Sequence, residues 1–91
     1  MLSATHVRMA RAALNWTLKD LEAKTGVNKN TISRYEAGAA ILTATLERIE
    51  RAFKAEGVIF MDEDDDNGVG VRLPKTTRKT GKLKPPKKPK T

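Results

Sequence analysis

The sequence contains no cysteine and only one histidine. The lack of cysteine excludes disulfide bonds and thiolate metal sites, and it agrees with a reducing compartment. His6 has no nucleophile or paired carboxylate arranged around it in the sequence, so we expect no acid–base or nucleophilic centre. The sequence therefore predicts a protein that is not an enzyme and that needs no cofactor.

A calcium-binding loop is also excluded, because two residues that it requires are absent. The acidic residues at 62–66 alternate in a way that resembles such a loop, but Asn67 stands where the loop requires glycine. Leu73 stands where the loop requires its final glutamate. We therefore interpret 62–66 as a solvated acidic loop and predict no metal site.

Long apolar stretches are absent as well. No segment approaches the roughly 18 consecutive apolar residues of a membrane span, and the first residues lack the apolar run of a signal peptide. We expect a soluble, cytoplasmic protein, associated with the nucleoid and not with a membrane. The sequence has only two phenylalanines, one tyrosine and one tryptophan, so Trp16 is expected to be a core anchor.

Acidic residues are missing from one end of the chain. Residues 74–91 contain eight Lys and Arg and no acid, whereas residues 1–73 contain ten Lys and Arg against eleven Asp and Glu. The whole basic excess therefore lies in the last segment, which also contains the prolines and a single large apolar residue, Leu83. This composition predicts a folded domain over 1–73 followed by a disordered Lys/Pro-rich tail over 74–91.

The most informative segment is TLKDLEAKTGVNKNTISRYE, residues 17–36, which has the pattern of two short amphipathic helices joined by a tight turn. Thr17 is a favourable N-cap, and Asp20 lies where its carboxylate can reach back to the cap amide. Gly26 marks the point where the first helix ends in a left-handed conformation. Val27 is expected to fill the space between the two helices.

The second helix of this segment is predicted over 28–36. Asn28 is its expected N-cap, and the spacing of Ile32 and Tyr35 places both on the inner side. The remaining polar side chains then face outward and have the chemistry of major-groove readers, because Arg and Lys donate to guanine and Asn pairs bidentately with adenine. The predicted base-contacting residues are Lys29, Asn30, Ser33 and Arg34.

The stretch ARAALNWTLKDLEAKTGVNKNTISRYEAG resembles the DNA-binding domain of bacterial Xre-type, phage-repressor-like transcription regulators. The resemblance extends over about residues 8–73, and ATLERIERAFKAEGVIF with GVGVRL is similar to a small subgroup in which a hairpin follows the last helix. It implies a mainly α fold, a helix-turn-helix bundle of four or five helices with a short C-terminal β-hairpin. It also implies a regulator of transcription that binds double-stranded DNA.

Outside the motif, the apolar spacing predicts two further helices and two strands. A first helix is expected from a Ser3 or Thr5 cap to about Asn15, and a last helix over 44–56 with Thr43 as its cap and Gly57 at its end. The strands are predicted at 58–61 and 69–73, in an antiparallel hairpin. Arg8 and Arg11 are expected to point away from the core, and Arg48 and Arg51 to pair with Glu47 or neighbouring acids.

Phosphate contacts are predicted at two places. Thr17, Asn28 and Thr31 have suitable chemistry near the recognition helix, although the first two are also expected to serve as caps. The cations of the tail should contact DNA phosphates without adding sequence preference. These tail residues are Lys75, Arg78, Lys79, Lys82 and Lys84.

Three departures from the family pattern bear on this prediction. Leu18 stands where relatives carry a glutamine that reaches a phosphate, so we expect that contact to be missing. Glu22 replaces a small alanine where the two helices approach, so either its side chain bends out to solvent or the helix pair opens. The loop at 39–42 is apolar, which predicts weak phosphate binding there and leaves surface for a partner.

The sequence thus predicts a sequence-specific DNA-binding regulator, a repressor that occupies its operator with the helix over 28–36. Since one such helix reads only a few base pairs, a homodimer is expected, with the hairpin or the 39–42 loop as its interface. Two alternatives remain open. One is a protein-interaction or antitoxin-like module on the same fold, and the other is a nonspecific nucleoid-type binder whose tail does most of the binding.

Overall fold

Four helices and a two-stranded hairpin follow one another along the chain in this computed structural model, which describes residues 2–75. None of the helices in this part of the chain is long and apolar enough to span a membrane. The predicted mainly α architecture with a C-terminal hairpin is confirmed. The elements are α1 (Ala4–Ala13), α2 (Leu18–Thr25), α3 (Lys29–Glu36), α4 (Thr43–Ala55), β1 (Ile59–Met61) and β2 (Gly70–Arg72).

The core lies where the four helices and the hairpin meet. Trp16 is only 3% exposed, and its ring stacks on that of Phe53 at a centroid distance of 5.6 Å, so the expected core anchor is confirmed. The helical stripes that the spacing predicts are buried as well. The buried apolar residues are Leu2, Val7, Ala10, Leu14, Trp16, Leu21, Val27, Ile32, Leu46, Ile49, Phe53 and Val58.

Helix α1 begins with a reciprocal cap between Ser3 and His6. The Ser3 hydroxyl accepts from the His6 amide at 3.2 Å, and the Ser3 amide donates to His6 Nδ1 at 3.1 Å. The buried imidazole also donates from Nε2 to the Met61 carbonyl at 2.9 Å. His6 therefore joins the start of α1 to the hairpin, a structural role that its position in the sequence did not reveal.

The start of α4 differs from the prediction. Thr43 is the first helical residue, and the N-cap position is held by Leu42, which makes no side-chain hydrogen bond to the helix amides. The expected Thr43 cap is therefore wrong by one residue. At the other end the helix finishes at Ala55, and the chain leaves through Gly57 at a φ of 89°.

The hairpin pairs β1 with β2 in antiparallel register, with Phe60 opposite Val71. Phe60 and Val71 pack against the core, whereas Ile59 and Met61 lie on the outward side. Each strand is three residues long, shorter than the predicted 58–61 and 69–73. The register leaves a wide acidic connection between the strands, as the hydrophobic pattern favoured.

Candidate nucleic-acid interface

Helix α2, which leads into the turn, is fixed by hydrogen bonds at both of its ends. The Thr17 amide donates to Asp20 Oδ2 at 2.8 Å, and the Asp20 amide donates to Thr17 Oγ1 at 3.0 Å, which completes the predicted capping box of α2. Gly26 has a φ of 78°, and its amide donates to the Glu22 carbonyl at 2.7 Å. The predicted helix start and left-handed stop are both confirmed.

The first residues after the turn set the position of α3. Val27 is buried, as expected, and its amide donates to Thr25 Oγ1 at 3.0 Å. Asn28 is the N-cap, and its Oδ1 accepts from the Asn30 amide at 2.7 Å. The start of α3 is therefore fixed by the Asn28 cap and by the buried Val27 side chain.

Glu22 is the most unusual of the residues in the motif that depart from the family pattern. Its carboxylate neither enters the core nor separates the helices, because Oε2 accepts a hydrogen bond from the Lys29 amide at 3.2 Å. An anion at this position complements the positive end of the α3 dipole. Glu22 thus serves as a second cap for α3, a role that the sequence did not predict.

The inner side of α3 is buried. Ile32 is fully inaccessible, and Tyr35 is partly buried, with its hydroxyl donating to the Leu2 carbonyl at 3.3 Å. This burial raises the pKa of the Tyr35 phenol. The predicted inner positions are confirmed, and together they hold the helix against α1 and the N-terminal segment.

An ion pair between α1 and α3 fixes the end of α3. Arg11 donates from Nε to Glu36 Oε2 at 2.9 Å and from Nη2 to Oε1 at 2.8 Å, and Nη1 donates to the Trp16 carbonyl at 3.1 Å. The hydrogen bond with the Glu36 carboxylate raises the pKa of the Arg11 guanidinium. Arg8 adds a bond from Nη1 to the Glu36 carbonyl. The expectation that Arg8 and Arg11 point away from the core missed this pairing.

The outer side of α3 contrasts with this network. The structure brings the four predicted base-contacting side chains onto one exposed surface, the α3 outer face: Lys29, Asn30, Ser33 and Arg34. None of these side chains makes a hydrogen bond or ion pair to another residue of the described part of the chain. Their donors and acceptors are available to a ligand, on a helix whose two ends are fixed.

The predicted phosphate-contacting residues fall into two groups. Thr17 and Asn28 are exposed although their side-chain oxygens accept cap amides, and Thr31 is half-buried. Lys75 is exposed at the end of the described residues. Leu18 packs against the core and offers no donor. The remaining predictions lie outside the described residues: Arg78, Lys79, Lys82 and Lys84.

A cluster of cations lies beside the turn, and the sequence analysis did not single it out. Lys24, Arg48 and Arg51 line a shallow cavity of about 340 Å³ together with Thr25 and Ala52, and no acid lines it. We call these three cations the α2–α4 basic patch. Its existence depends on bringing α2 against α4, so no local spacing could have revealed it.

The central residue of this patch corrects an expectation. Arg48 was expected to pair with Glu47 or a neighbouring acid, but its Nη2 donates to the Thr25 carbonyl at 2.8 Å, at the C-terminal end of α2. Lys24 is also positioned, with Nζ 5.3 Å from the centre of the Trp16 ring. The pairing predicted for Arg48 is therefore wrong, and its guanidinium is held at the helix-turn-helix instead.

A second cavity links the basic patch to the recognition helix. It has a volume of about 390 Å³, and Arg48 lines it together with Asn28, Thr31 and Leu42. Leu42 is 76% exposed, the most exposed large apolar side chain among residues 2–75. The patch, the predicted phosphate-contacting residues of α3 and the 39–42 loop thus form one continuous surface.

A family model described as helix-turn-helix matches residues 7–57 of the chain, which span α1 to the end of α4. No curated protein matches the sequence significantly. The matched region is more than half of the chain and contains the capped turn, the buried side of α3 and its exposed outer face. The chain belongs to the Xre-type helix-turn-helix family, and it is a DNA-binding regulator of that family.

Proposed function

We propose that the protein is a sequence-specific transcriptional repressor that inserts α3 into the major groove of double-stranded DNA. The observation that carries this proposal is the α3 outer face, where four polar side chains lie together without partners among the described residues. The buried side of the same helix is fixed by Ile32 and by the Arg11–Glu36 pair. A rigid helix with free donors is what direct readout of base edges requires.

Each side chain of this face has a specific chemical role. Asn30 pairs bidentately with adenine, and Arg34 and Lys29 donate to guanine O6 and N7. Ser33 can donate to or accept from either kind of base pair. Repression follows from occupancy, because a protein bound across an operator excludes other proteins from the same groove.

Both the domain over 1–73 and the tail over 74–91 contribute phosphate contacts in this proposal. Thr17, Asn28 and Thr31 lie beside α3, and the α2–α4 basic patch extends their surface and offsets the donor missing at Leu18. The tail over 74–91 follows the domain over 1–73 and adds contacts through its own cations. Since residues 1–73 carry a net charge of −1, these two basic groups supply most of the electrostatic attraction.

Selection from a random DNA pool with the full chain tests the proposal. We expect enrichment of a short motif, and we expect the variant Asn30→Ala to lose preference at one adenine of that motif. Arg34→Ala should lose preference at one guanine of the motif, and Lys54→Ala is its control, because both remove one exposed charge and Lys54 lies on α4 away from the turn. If no motif is enriched, the sequence-specific proposal fails.

The tail and the patch are tested by the salt dependence of binding in the full-length protein. Replacing Lys75, Arg78, Lys79, Lys82 and Lys84 with glutamine should lower the salt slope by about 0.9 for each phosphate that these side chains neutralise and leave the selected motif unchanged. Arg51→Gln, in the α2–α4 basic patch, should likewise lower the salt slope by about 0.9, because it removes one phosphate contact. Loss of all binding without the tail charges would instead indicate the nonspecific binder.

A second candidate function is favoured by one observation. Ala39, Ala40 and Leu42 of the 39–42 loop are all exposed, and Leu42 has 76% of its surface exposed, so the loop presents adjoining apolar side chains of the kind that a protein partner covers. In this alternative the fold is a protein-interaction or antitoxin-like module. It predicts that the full chain enriches no DNA motif and that Leu42→Ser abolishes binding of the partner, whereas the repressor proposal predicts an enriched motif that Leu42→Ser leaves unchanged.

A further inference from the structure

The chain leaves its last strand beside a groove at the end of α4. The Pro74 ring lies against Gly57, since a Cβ added to Gly57 would be 3.0 Å from Pro74 Cγ. Gly57 also lines a groove of about 620 Å³ between the N-terminal segment, the end of α4 and β1. Lys75, the last described residue, follows this contact and is exposed. The rest of the tail, residues 76–91, therefore starts at the rim of the groove.

The groove combines apolar and charged side chains. The N-terminal segment and β1 supply the apolar part of its lining: Leu2, Val58, Ile59 and Phe60. Ile59 is 53% exposed, so an occupant can cover it further. The charged part of the lining comes from Glu50, Lys54 and Asp62. Lys54 is paired with Glu50 at 3.1 Å, whereas Asp62 is exposed and forms no ion pair with another residue between 2 and 75.

Further acids extend this surface beyond Asp62. The connection between the strands, residues 62–66, consists of five exposed acids, and none of them forms an ion pair within the described part of the chain. At the end of α4, Glu56 has a buried Oε1 atom without a hydrogen-bond partner among the same residues. Buried carboxylate oxygens are normally paired. The groove and its surroundings thus favour an occupant that brings positive charge.

The tail has the complementary composition. Residues 76–91, which lie outside the described residues, contain seven Lys and Arg and no acid. The single large apolar residue of this segment, Leu83, stands between Lys82 and Lys84. The eight residues from Lys75 to Leu83 can span at most about 26 to 29 Å. This reach exceeds the width of a groove of such a volume, so Leu83 can enter it from the rim.

We propose that Lys82, Leu83 and Lys84 of the chain's own tail bind in this groove. Leu83 covers Ile59, and the two lysines lie toward Asp62 and the acidic connection. Because the tail is attached at the rim, the effective concentration of the segment is on the order of millimolar, so individually weak contacts are sufficient. Only a short extended segment is bound, which agrees with a composition that favours neither helix nor strand.

Docking of the tail competes with DNA for the same cations. Lys82 and Lys84 are predicted phosphate contacts, and neither can contact an acid of the groove and a phosphate at the same time. The groove therefore keeps part of the tail away from DNA until a high local density of phosphates displaces it. This consequence rests on the proposed function, whereas the docking itself does not depend on DNA.

Proximity in the full chain tests the docking directly. Because the protein has no cysteine, Thr80→Cys provides a single site for a nitroxide label close to Leu83. Without DNA and at low salt, the label should broaden the amide NMR signals of Ile59 and Asp62 strongly and that of Asn30 on the α3 outer face weakly. High salt should reduce this broadening, because the charged contacts are screened. Leu83→Ser should weaken docking by roughly fivefold, because part of a leucine side chain is no longer buried.

Two results of this experiment would overturn the proposal. The first is that the signals of Ile59 and Asp62 are broadened no more than that of Asn30. The second comes from mixing labelled chains that are invisible to NMR with unlabelled chains that are visible. If the mixture shows the same broadening as a single labelled chain, the tail of a second copy occupies the groove instead. Both measurements contain no DNA, so their failure is distinct from failure of the repressor proposal.

A double-mutant cycle tests the competition with DNA. In the full chain, Asp62→Asn should raise the affinity for nonspecific DNA by roughly twofold to fivefold, because a contact that holds the tail is lost. The same change should have little effect in a chain that also carries Lys82→Gln and Lys84→Gln. Glu47→Gln removes another exposed acid and is the matched control, with the same effect in both backgrounds. An equal effect of Asp62→Asn in both backgrounds would mean that Asp62 only repels DNA, and competition would be ruled out.

Discussion

The two sides of α3 differ in how their polar groups are satisfied. On the inner side, the Glu36 carboxylate receives two hydrogen bonds from Arg11, and the Tyr35 hydroxyl bonds to the Leu2 carbonyl. On the outer side, Asn30 and Arg34 have side chains without partners in the described part of the chain. One helix of eight residues therefore carries a structural side and a ligand-binding side.

From this difference we expect the inner side of α3 to determine stability and the outer side to determine DNA recognition. Changes on the inner side should lower the stability of the fold and thereby weaken every activity together. Changes on the outer side should leave folding unchanged and alter only the DNA that is bound. The N-terminal end of α3, which is capped by Asn28 and Glu22, belongs to the structural side even though Asn28 is also a predicted phosphate contact.

The largest expected effect comes from breaking the ion pair on the inner side. Glu36→Ala should lower the free energy of unfolding by about 3 kcal/mol, because it leaves the partly buried Arg11 guanidinium without its carboxylate. Chemical denaturation measures this change. The double variant Arg11→Met with Glu36→Leu should recover most of the stability, and failure to recover would mean that the pair is not the cause.

The corresponding change on the outer side is Asn30→Ala. We expect it to reduce discrimination at one base position by about 1 to 3 kcal/mol and to leave the free energy of unfolding almost unchanged. Binding titrations with operator variants measure the first quantity, and denaturation measures the second. An equal reduction of affinity for all DNA sequences would assign Asn30 to the phosphates.

A change at the N-terminal end of α3 should have a smaller effect than a change on either side of the helix. Glu22→Gln should lower stability by about 0.5 kcal/mol, because the amide can still accept the Lys29 hydrogen bond while the favourable charge at the N-terminus of α3 is removed. The effect should shrink at high salt. If Glu22→Gln is as disruptive as Glu36→Ala, then Glu22 is more than a cap.

The smallest effect concerns the acidic connection of the hairpin. Because the Asp66 and Asn67 amides donate to Asp64, the pKa of its carboxyl should lie below the ordinary value of about 3.9. The stabilisation is present above that value and is lost as the pH falls through the lowered pKa. Carboxyl NMR titration measures this shift, and an ordinary value would mean that the turn is not formed in solution.

The sequence was sufficient to predict the motif because its signals are local. Capping by Thr17 and Asn28, the left-handed Gly26 and the spacing of Ile32 and Tyr35 each depend on a few neighbouring residues. The same holds for the apolar stripes of α1 and α4 and for the two short strands. Local rules erred at the start of α4, where the helix begins one residue earlier than the Thr43 cap predicts and Leu42 holds the N-cap position without a side-chain hydrogen bond.

Contacts between distant segments were decided by the tertiary structure alone. The pairing of Arg11 with Glu36 and the bond from His6 to the Met61 carbonyl each join residues far apart in sequence. The Arg48 guanidinium likewise lies at the end of α2 and not beside Glu47. Charge and spacing show that such groups can form bonds, but only the packing of the helices selects their partners.

By itself, then, the sequence determined where the helices of the motif begin and end and which side of α3 is apolar, because capping and amphipathic spacing act within one or two turns. The tertiary structure decided that Glu22 caps α3 and that Lys24, Arg48 and Arg51 form one basic patch. It also decided that Ile59 and Met61 remain exposed. Each of these outcomes depends on which surfaces meet when the helices and the hairpin bury their apolar sides together.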